Sequence, residues 1–265
     1  MNAAGPAPDT PALPAFFEFA APADWRAIDF ISDLHLSETM PRTFEAFERH
    51  LRTTSADAVF ILGDLFELWV GDDERAQAFE RQCVRVLADA SSRRHLAFMV
   101  GNRDFLLGAA MLRDCGMLGL HDPTLLDAWG RSVLLSHGDE LCLGDKPYQA
   151  FRREVRSPAW QASFLAKPLS ERLAIAARIR QASEERRRFD GATDSDVDFA
   201  EAVRWLRAGH AHEMVHGHTH RPGSETLAPG FTRHVLSDWD LDHGDRAEVL
   251  RLTREGFARL APSAH

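Results

Sequence analysis

Short runs of consecutive apolar residues punctuate the first half of the chain, each ending abruptly in a polar cluster: AIDFIS (27–32), AVFIL (58–62), HLAFMV (95–100) and SVLLS (132–136). Runs this short, rich in β-branched and aromatic residues and apolar at nearly every position, predict strands buried on both faces. Between them, Thr43 to Arg52 and Glu74 to Ala90 place apolar residues at helical spacing opposite charged faces, the pattern of amphipathic helices. Strands alternating with helices predict an α/β sheet. A helical, basic segment occupies about 145–207, and strand patterns return near 213–216, 233–237 and 246–252. Residues 1–26, beginning MNAAGPAPDTPALP, lack periodicity and read as a flexible leader to a domain spanning 27–265, although Phe16, Phe17 and Phe19 are unusual in such a stretch.

The residues that follow each strand carry the chemistry. The first strand runs into Asp33-Leu34-His35, the second into Gly63-Asp64, and the third into Gly101-Asn102-Arg103-Asp104. The fourth runs into His137-Gly138-Asp139 and a later one into His216-Gly217-His218-Thr219-His220. In an open α/β sheet the loops at the carboxyl ends of strands converge on one crevice, so ligands distant in sequence meet there. Imidazole, carboxylate and one neutral amide oxygen, without thiolate, suit hard-to-borderline divalent cations such as Mn, Fe or Zn. A dinuclear site holds its ions about 3.5–4 Å apart across a bridging carboxylate. Asp64 is the candidate bridge, with Asp33, His35 and His218 completing one ion and Asn102, His137 and His216 the other. Two divalent cations less two carboxylates leave about two positive charges, a site that attracts phosphate and lowers the pKa of a bound water.

Composition narrows the remaining choices. With 45% hydrophobic and 27% charged residues the chain is that of a globular protein, and a net charge of −9 argues against nucleic acid as its main partner. Three cysteines, Cys83, Cys115 and Cys142, form neither a disulfide framework nor a C-x-x-C pair, which fits a reducing cytosol. The charge is uneven: Asp145 to Asp190 holds eleven Lys and Arg against six Asp and Glu, a net of +5. Trp160, Phe164, Leu165, Leu169, Leu173 and Ile175 are interleaved with those charges. Composition alone leaves two readings open, a surface for greasy anionic ligands or bilayers, and helices whose apolar face packs on the core.

In order, D-x-H, G-D, G-N-x-D, H-G-D and H-G-H-T-H resemble the motifs of the calcineurin-like metallophosphoesterase superfamily over residues 28 to about 240. The resemblance implies a four-layer α/β metallophosphoesterase sandwich, two packed β-sheets flanked by helices, with an inserted helical cap at about 145–207 and a dinuclear metal site at the strand ends. Its metal ligands agree with those assigned above. Many members carry His after the Asn, as proton donor to the leaving alkoxide, where this chain has Arg103. Arginine does not give up its proton near neutral pH but clamps phosphate in a bidentate fashion, so a leaving group that departs unprotonated, such as a phosphate of a pyrophosphate, is favoured.

The longer strings ISDLHLS, ILGDLFELWVGDD, GNRDFLLG, HGDELC and HGHTHRP, with YQAFR (148–152) and IAARIR (175–180), are similar to the lipid A pathway pyrophosphatases of Gram-negative bacteria. Those enzymes split UDP-2,3-diacylglucosamine into UMP and 2,3-diacylglucosamine 1-phosphate, usually with Mn. The similarity implies a peripheral protein on the cytoplasmic face of the inner membrane, touching an anionic membrane surface. It implies catalysis through Asp64, Asn102, Arg103 and His216, and substrate contacts at Asn102, Arg103, Asp145, Tyr148, Arg180, Ser183 and His216. Where relatives show Asn and Lys four and seven positions after the Ser, this chain has Arg187 and Asp190. Tyr148 is equally a candidate for a structural role, and His220 for orienting the ligands or for packing. Asp104, Asp139, Glu67, Asp72 and Asp73 lie beside the ligand motifs and read as orienting or helix-capping residues. Two other functions stay open: hydrolysis of a soluble nucleotide or phosphodiester, and a non-catalytic scaffold of the same fold, against which the intact ligand set argues.

Overall fold

The computed structural model describes residues 12–190 and 195–263, without the side chains of 183, 184 and 186–190. In chain order the strands are β1 (Phe17–Ala20), β2 (Ala27–Ile31), β3 (Ala58–Leu62), β4 (His95–Met99), β5 (Leu118–Leu120), β6 (Thr124–Ala128), β7 (Arg131–Ser136), β8 (Glu213–His216), β9 (Gly223–Ala228), β10 (Phe231–Val235), β11 (Val249–Thr253) and β12 (Gly256–Leu260). The helices are α1 (Pro41–Thr53), α2 (Ala78–Ser91), α3 (Ala109–Cys115), α4 (Lys146–Val155), α5 (Pro158–Leu165), α6 (Leu169–Asp190) and α7 (Phe199–Ala208). One sheet has the order β12-β11-β2-β3-β4-β5, with β2 to β5 parallel; the other runs β1-β6-β7-β8-β10-β9, with β7, β8 and β10 parallel.

The continuous apolar runs are explained by burial on both faces. Alternate residues of β2, β3 and β4, among them Phe30, Phe60, Leu62 and Met99, point between the sheets and meet Leu135, Val215 and Leu252. Their neighbours Ile31, Val59, Ile61 and Phe98 point the other way, onto Phe47, Leu87 and Met111 of α1 to α3. On the far side Leu134 and Met214 receive Ala202, Trp205 and Leu206 of α7. The result is helices, sheet, sheet, helix, the four-layer α/β sandwich. Phe60, Leu62, Phe66 and Trp69 are all buried core residues, each contributing about 1.5–3 kcal/mol through removal from water.

Three expectations change. Residues 1–11 of the leader lie outside the described residues, but residues 17–20 form β1, paired in parallel with β6. The strand covers what would be an exposed sheet edge, and Phe19 packs edge-on against Phe60 at 5.5 Å. The helix read from Glu74 to Ala90 is split: Asp72–Ala76 is a 3₁₀ turn, extended Gln77 (ψ 163°) interrupts it, and α2 begins at Ala78. Within 145–207, α7 packs on the second sheet through Ala202, Trp205 and Leu206, whereas residues of α5 and α6 pack against the helix layer of the first sheet. Among the described residues no helix is long and apolar enough to cross a membrane.

Candidate metal centre

Because β2, β3 and β4 are parallel, as are β7 and β8, their carboxyl ends deliver Asp33, Asp64, the 101–104 loop, His137 and His216 to the same edge of the sandwich. The backbone leaves the strands sharply there: Asp33 (φ 52°), His35 (φ 49°), Asp64 (φ 52°), His218 (φ 67°) and His220 (φ 51°) are all left-handed. Such a conformation is uncommon for residues other than glycine, and its clustering is characteristic of functional sites. Glycine is required where these loops touch. A Cβ on Gly101 would overlap the Asp64 carboxylate, and one on Gly217 would overlap that of Asp33.

The ligand candidates converge. Asn102 Oδ1 lies 2.9 Å from His137 Nε2 and 2.7 Å from His218 Nδ1. His137 Nε2 is 3.7 Å from Asp64 Oδ1, and the donor atoms of Asp33, Asp64 and His137 fall within 4.8 Å of one another, as do those of Asp33, His35 and His220. His137 Nδ1 faces the Leu62 carbonyl at 2.9 Å, and His216 Nδ1 faces that of Gly217 at 2.9 Å. A carbonyl only accepts, so each Nδ1 carries the proton and donates it. His216 Nε2 is left as a buried lone pair without a partner. Burial lowers the His216 pKa to about 4, which keeps that lone pair available.

The electrostatics call for positive charge. Asp33 is fully buried, yet the imidazoles of His220, His137 and His35 outweigh burial and hold its carboxyl well below the usual range. Burial would likewise depress His137, but Asp64, Asp33 and Asp139 raise it to about 9. Buried carboxylates, imidazoles and an amide oxygen around an orphaned ring nitrogen fit a pair of divalent cations. The shortest side-chain contact to Asp33 from the last motif comes from His220 Nε2, at 3.3 Å, whereas His218 approaches it through its backbone N–H (3.0 Å).

The carboxylates beside the motifs have distinct duties. Asp104 is buried and accepts the N–H groups of Gly101 (2.7 Å) and Leu65 (2.8 Å), tying two ligand loops together; burial and nearby Asp64 push its pKa up to about 6. Asp72 accepts from Gly108, Ala110 and Met111 N–H groups at 2.8–3.0 Å and so caps α3. Asp139, also fully buried, receives Tyr148 Oη (2.5 Å), Arg152 Nε (2.9 Å) and Arg156 Nη2 (3.4 Å), joining α4 to the site. Glu67 Oε2 lies 2.9 Å from His35 Nδ1.

The substrate-contact candidates are divided. Arg103 donates its backbone N–H to Asp64 Oδ1 (2.8 Å) and turns its guanidinium toward Glu67, as does Arg180 from α6. The Tyr148 ring stacks near His218, at 6.0 Å between centroids, while its hydroxyl is engaged by Asp139. Asp145 is exposed and caps α4 by accepting from Tyr148 N–H (3.0 Å). The side chains of Ser183, Arg187 and Asp190 lie outside the described residues. Much of the basic charge in this segment faces the body: Arg152 and Arg156 reach Asp139, Arg172 pairs with Asp73, and Arg180 with Glu67. The packing reading of the apolar residues is the one the structure bears on. Trp160, Leu169, Leu173 and Ile175 pack against the helix layer, and Trp160, Phe164 and Ile175 also line, with Phe151, Lys167 and Ile179, a cavity of about 320 Å³.

Comparison with known proteins gives the family. Residues 27–222 match the family model described as calcineurin-like phosphoesterase. A UDP-2,3-diacylglucosamine hydrolase from Xanthomonas axonopodis pv. citri is 43% identical over 241 residues, covering 86% of this chain and 95% of the relative. A protein of the same name from Stenotrophomonas maltophilia is 43% identical over 248 residues, covering 86% and 96%. The shared motifs, the four layers and this degree of identity place the chain in the calcineurin-like phosphoesterase family, among the proteins named UDP-2,3-diacylglucosamine hydrolase.

Proposed function

We propose that this protein hydrolyses the pyrophosphate of UDP-2,3-diacylglucosamine to UMP and 2,3-diacylglucosamine 1-phosphate, using two Mn ions. The observation that carries the reading is the convergence of Asn102, His137, His218, Asp64 and Asp33 at the strand ends, with Arg103 and Arg180 beside them and an apolar cavity in the covering helices. Asp33, His35, Asp64 and His218 would hold one ion, and Asp64, Asn102, His137 and His216 the other. When bound, the pair supplies an activated water and neutralises charge developing on the phosphoryl oxygens.

The chain's own groups do the rest. Arg103 and Arg180 offer guanidinium donors to the two phosphates, and a guanidinium at position 103 in place of an imidazole suits a phosphate leaving group that needs no proton. Asp104 fixes the loops bearing Asp64 and Asn102 relative to each other. Residues 145–190 form the helical cap, whose cavity accepts acyl chain. Exposed Leu165 and Ile179 on that cap, near Lys167 and Arg178, are suited to resting on an anionic inner-membrane surface from the cytoplasmic side.

The test is UMP release from UDP-2,3-diacylglucosamine after chelation and Mn restoration, beside UDP-N-acetylglucosamine, which lacks the two acyl chains. Metal-dependent release from the acylated compound alone is expected. Comparable cleavage of both would identify a general pyrophosphatase, and cleavage of neither by metal-loaded protein would indicate a scaffold.

A further inference from the structure

Glu67 belongs to none of the ligand motifs, yet it lies where the metal centre, a body arginine and a cap arginine meet. Its Oε2 is 2.9 Å from His35 Nδ1, within hydrogen-bond range though not in line with the ring N–H. Its Oε1 is 3.8 Å from Arg103 Nη1 and pairs with Arg180 Nη1. The residue is pinned beside the first ligand loop, because its N–H donates to the Leu36 carbonyl at 3.2 Å and Phe66 bridges Leu36. Its side chain is only 19% exposed, so these groups meet with little water between them.

Two physical consequences follow from that placement. An imidazole that offers Nε2 to a cation must carry its proton on Nδ1, and a carboxylate facing Nδ1 selects that tautomer and fixes the ring. Two guanidiniums brought to the same spot repel each other unless an anion lies between them; Glu67 is that anion.

We propose that Glu67 is a positioning residue with two linked duties: it sets the His35 ring for its cation, and it holds Arg103 and Arg180 side by side to receive the phosphates of the substrate. The second duty rests on the pyrophosphatase reading above; the first does not. Glu67 thereby connects the position of α6 to the metal centre through one side chain.

The experiment compares Glu67→Gln and Glu67→Ala in the full chain. Glutamine keeps an oxygen for His35 Nδ1–H but loses the charge. Mn affinity, measured by chelator competition, is expected to stay within about threefold of wild type in E67Q and to fall about 10- to 100-fold in E67A. In E67Q, KM is expected to rise about tenfold with kcat little changed, the loss of one charge-assisted arrangement. Unchanged Mn affinity in E67A overturns the proposal, as does an unchanged KM in E67Q. A residue that merely braces the cap would lower the melting temperature of both variants and move neither constant. If wild type fails to cleave UDP-2,3-diacylglucosamine, the functional reading falls, while the Mn titrations still decide the role of Glu67 at His35.

Discussion

Replacing Asp139 by alanine should loosen the cap from the body. Its carboxylate is fully buried and is the shared acceptor for Tyr148 Oη, Arg152 Nε and Arg156 Nη2. Burial alone would raise this carboxyl, but Arg156 and Arg152 hold it far below the usual range. Breaking a buried charge network by removing one partner costs about 3–5 kcal/mol. Arg152 keeps Glu140 at 2.9 Å and Arg156 keeps the Gly101 carbonyl at 2.9 Å, which favours the lower end, about 3 kcal/mol. In a chain of this size that corresponds to a drop in Tm of about 6–12 °C. Calorimetric melting of the Mn-loaded protein measures it, and limited trypsinolysis should show earlier cuts between residues 146 and 190. Asp139→Asn, which keeps an acceptor without the charge, should fall between. Because the folded pKa is depressed, the contribution is present above the ordinary carboxyl range and is lost as pH falls through the depressed value, so the gap between wild type and D139N should close in strong acid. A D139A variant melting within about 2 °C of wild type at neutral pH would refute the reasoning.

Asp64→Ala should abolish turnover and reduce bound metal at both positions, whereas Arg103→Ala should keep its metal and lose phosphate binding; elemental analysis beside kinetics separates them, and equal metal loss would contradict the division. Gly101→Ala should lose metal because the added methyl displaces the Asp64 carboxylate, so a variant with full metal content would show that the loop yields more readily than its packing implies. Asp29, a buried residue of β2, is pushed up by burial but pulled down to about 2 by His50, Arg251 and Thr54. Its stabilisation, about 2 kcal/mol, is complete above pH 4 and disappears as pH falls through 2; urea melts of wild type and Asp29→Asn should therefore differ at pH 7 and converge in strong acid.

The central strands were legible because both of their faces are buried, which writes an unbroken apolar run into the sequence: AVFIL is β3 residue for residue. Edge strands leave weaker marks. Phe17–Ala20 has one partner strand and a mostly exposed face, so its composition resembles that of an unstructured segment. The positions of the ligand candidates were legible because each follows a strand, and parallel pairing brings strand ends together without further information. The supporting contacts were not. Nothing local in HGDELC shows that Asp139 will meet Arg152 in the last turn of α4 and Arg156 just past its end, and nothing in LFELW shows that Glu67 will meet Arg180, more than a hundred residues away. The excess of arginine between 145 and 190 was a signal of those contacts, legible as charge but not as address.

The pairing of arginines on residues 145–190 with body carboxylates makes an ionic latch between those helices and the body. Lifting it sets Arg152, Arg156, Arg172 and Arg180 apart from Asp139, Asp73 and Glu67, leaving both signs to be satisfied by the medium. Dissolved ions do this better for the partly exposed pairs than for those on fully buried Asp139, while the apolar contacts of Trp160 and Leu169 are not screened at all. Ionic strength therefore acts unevenly here: it should weaken the more exposed Arg180–Glu67 pair sooner than the fully buried Asp139 cluster.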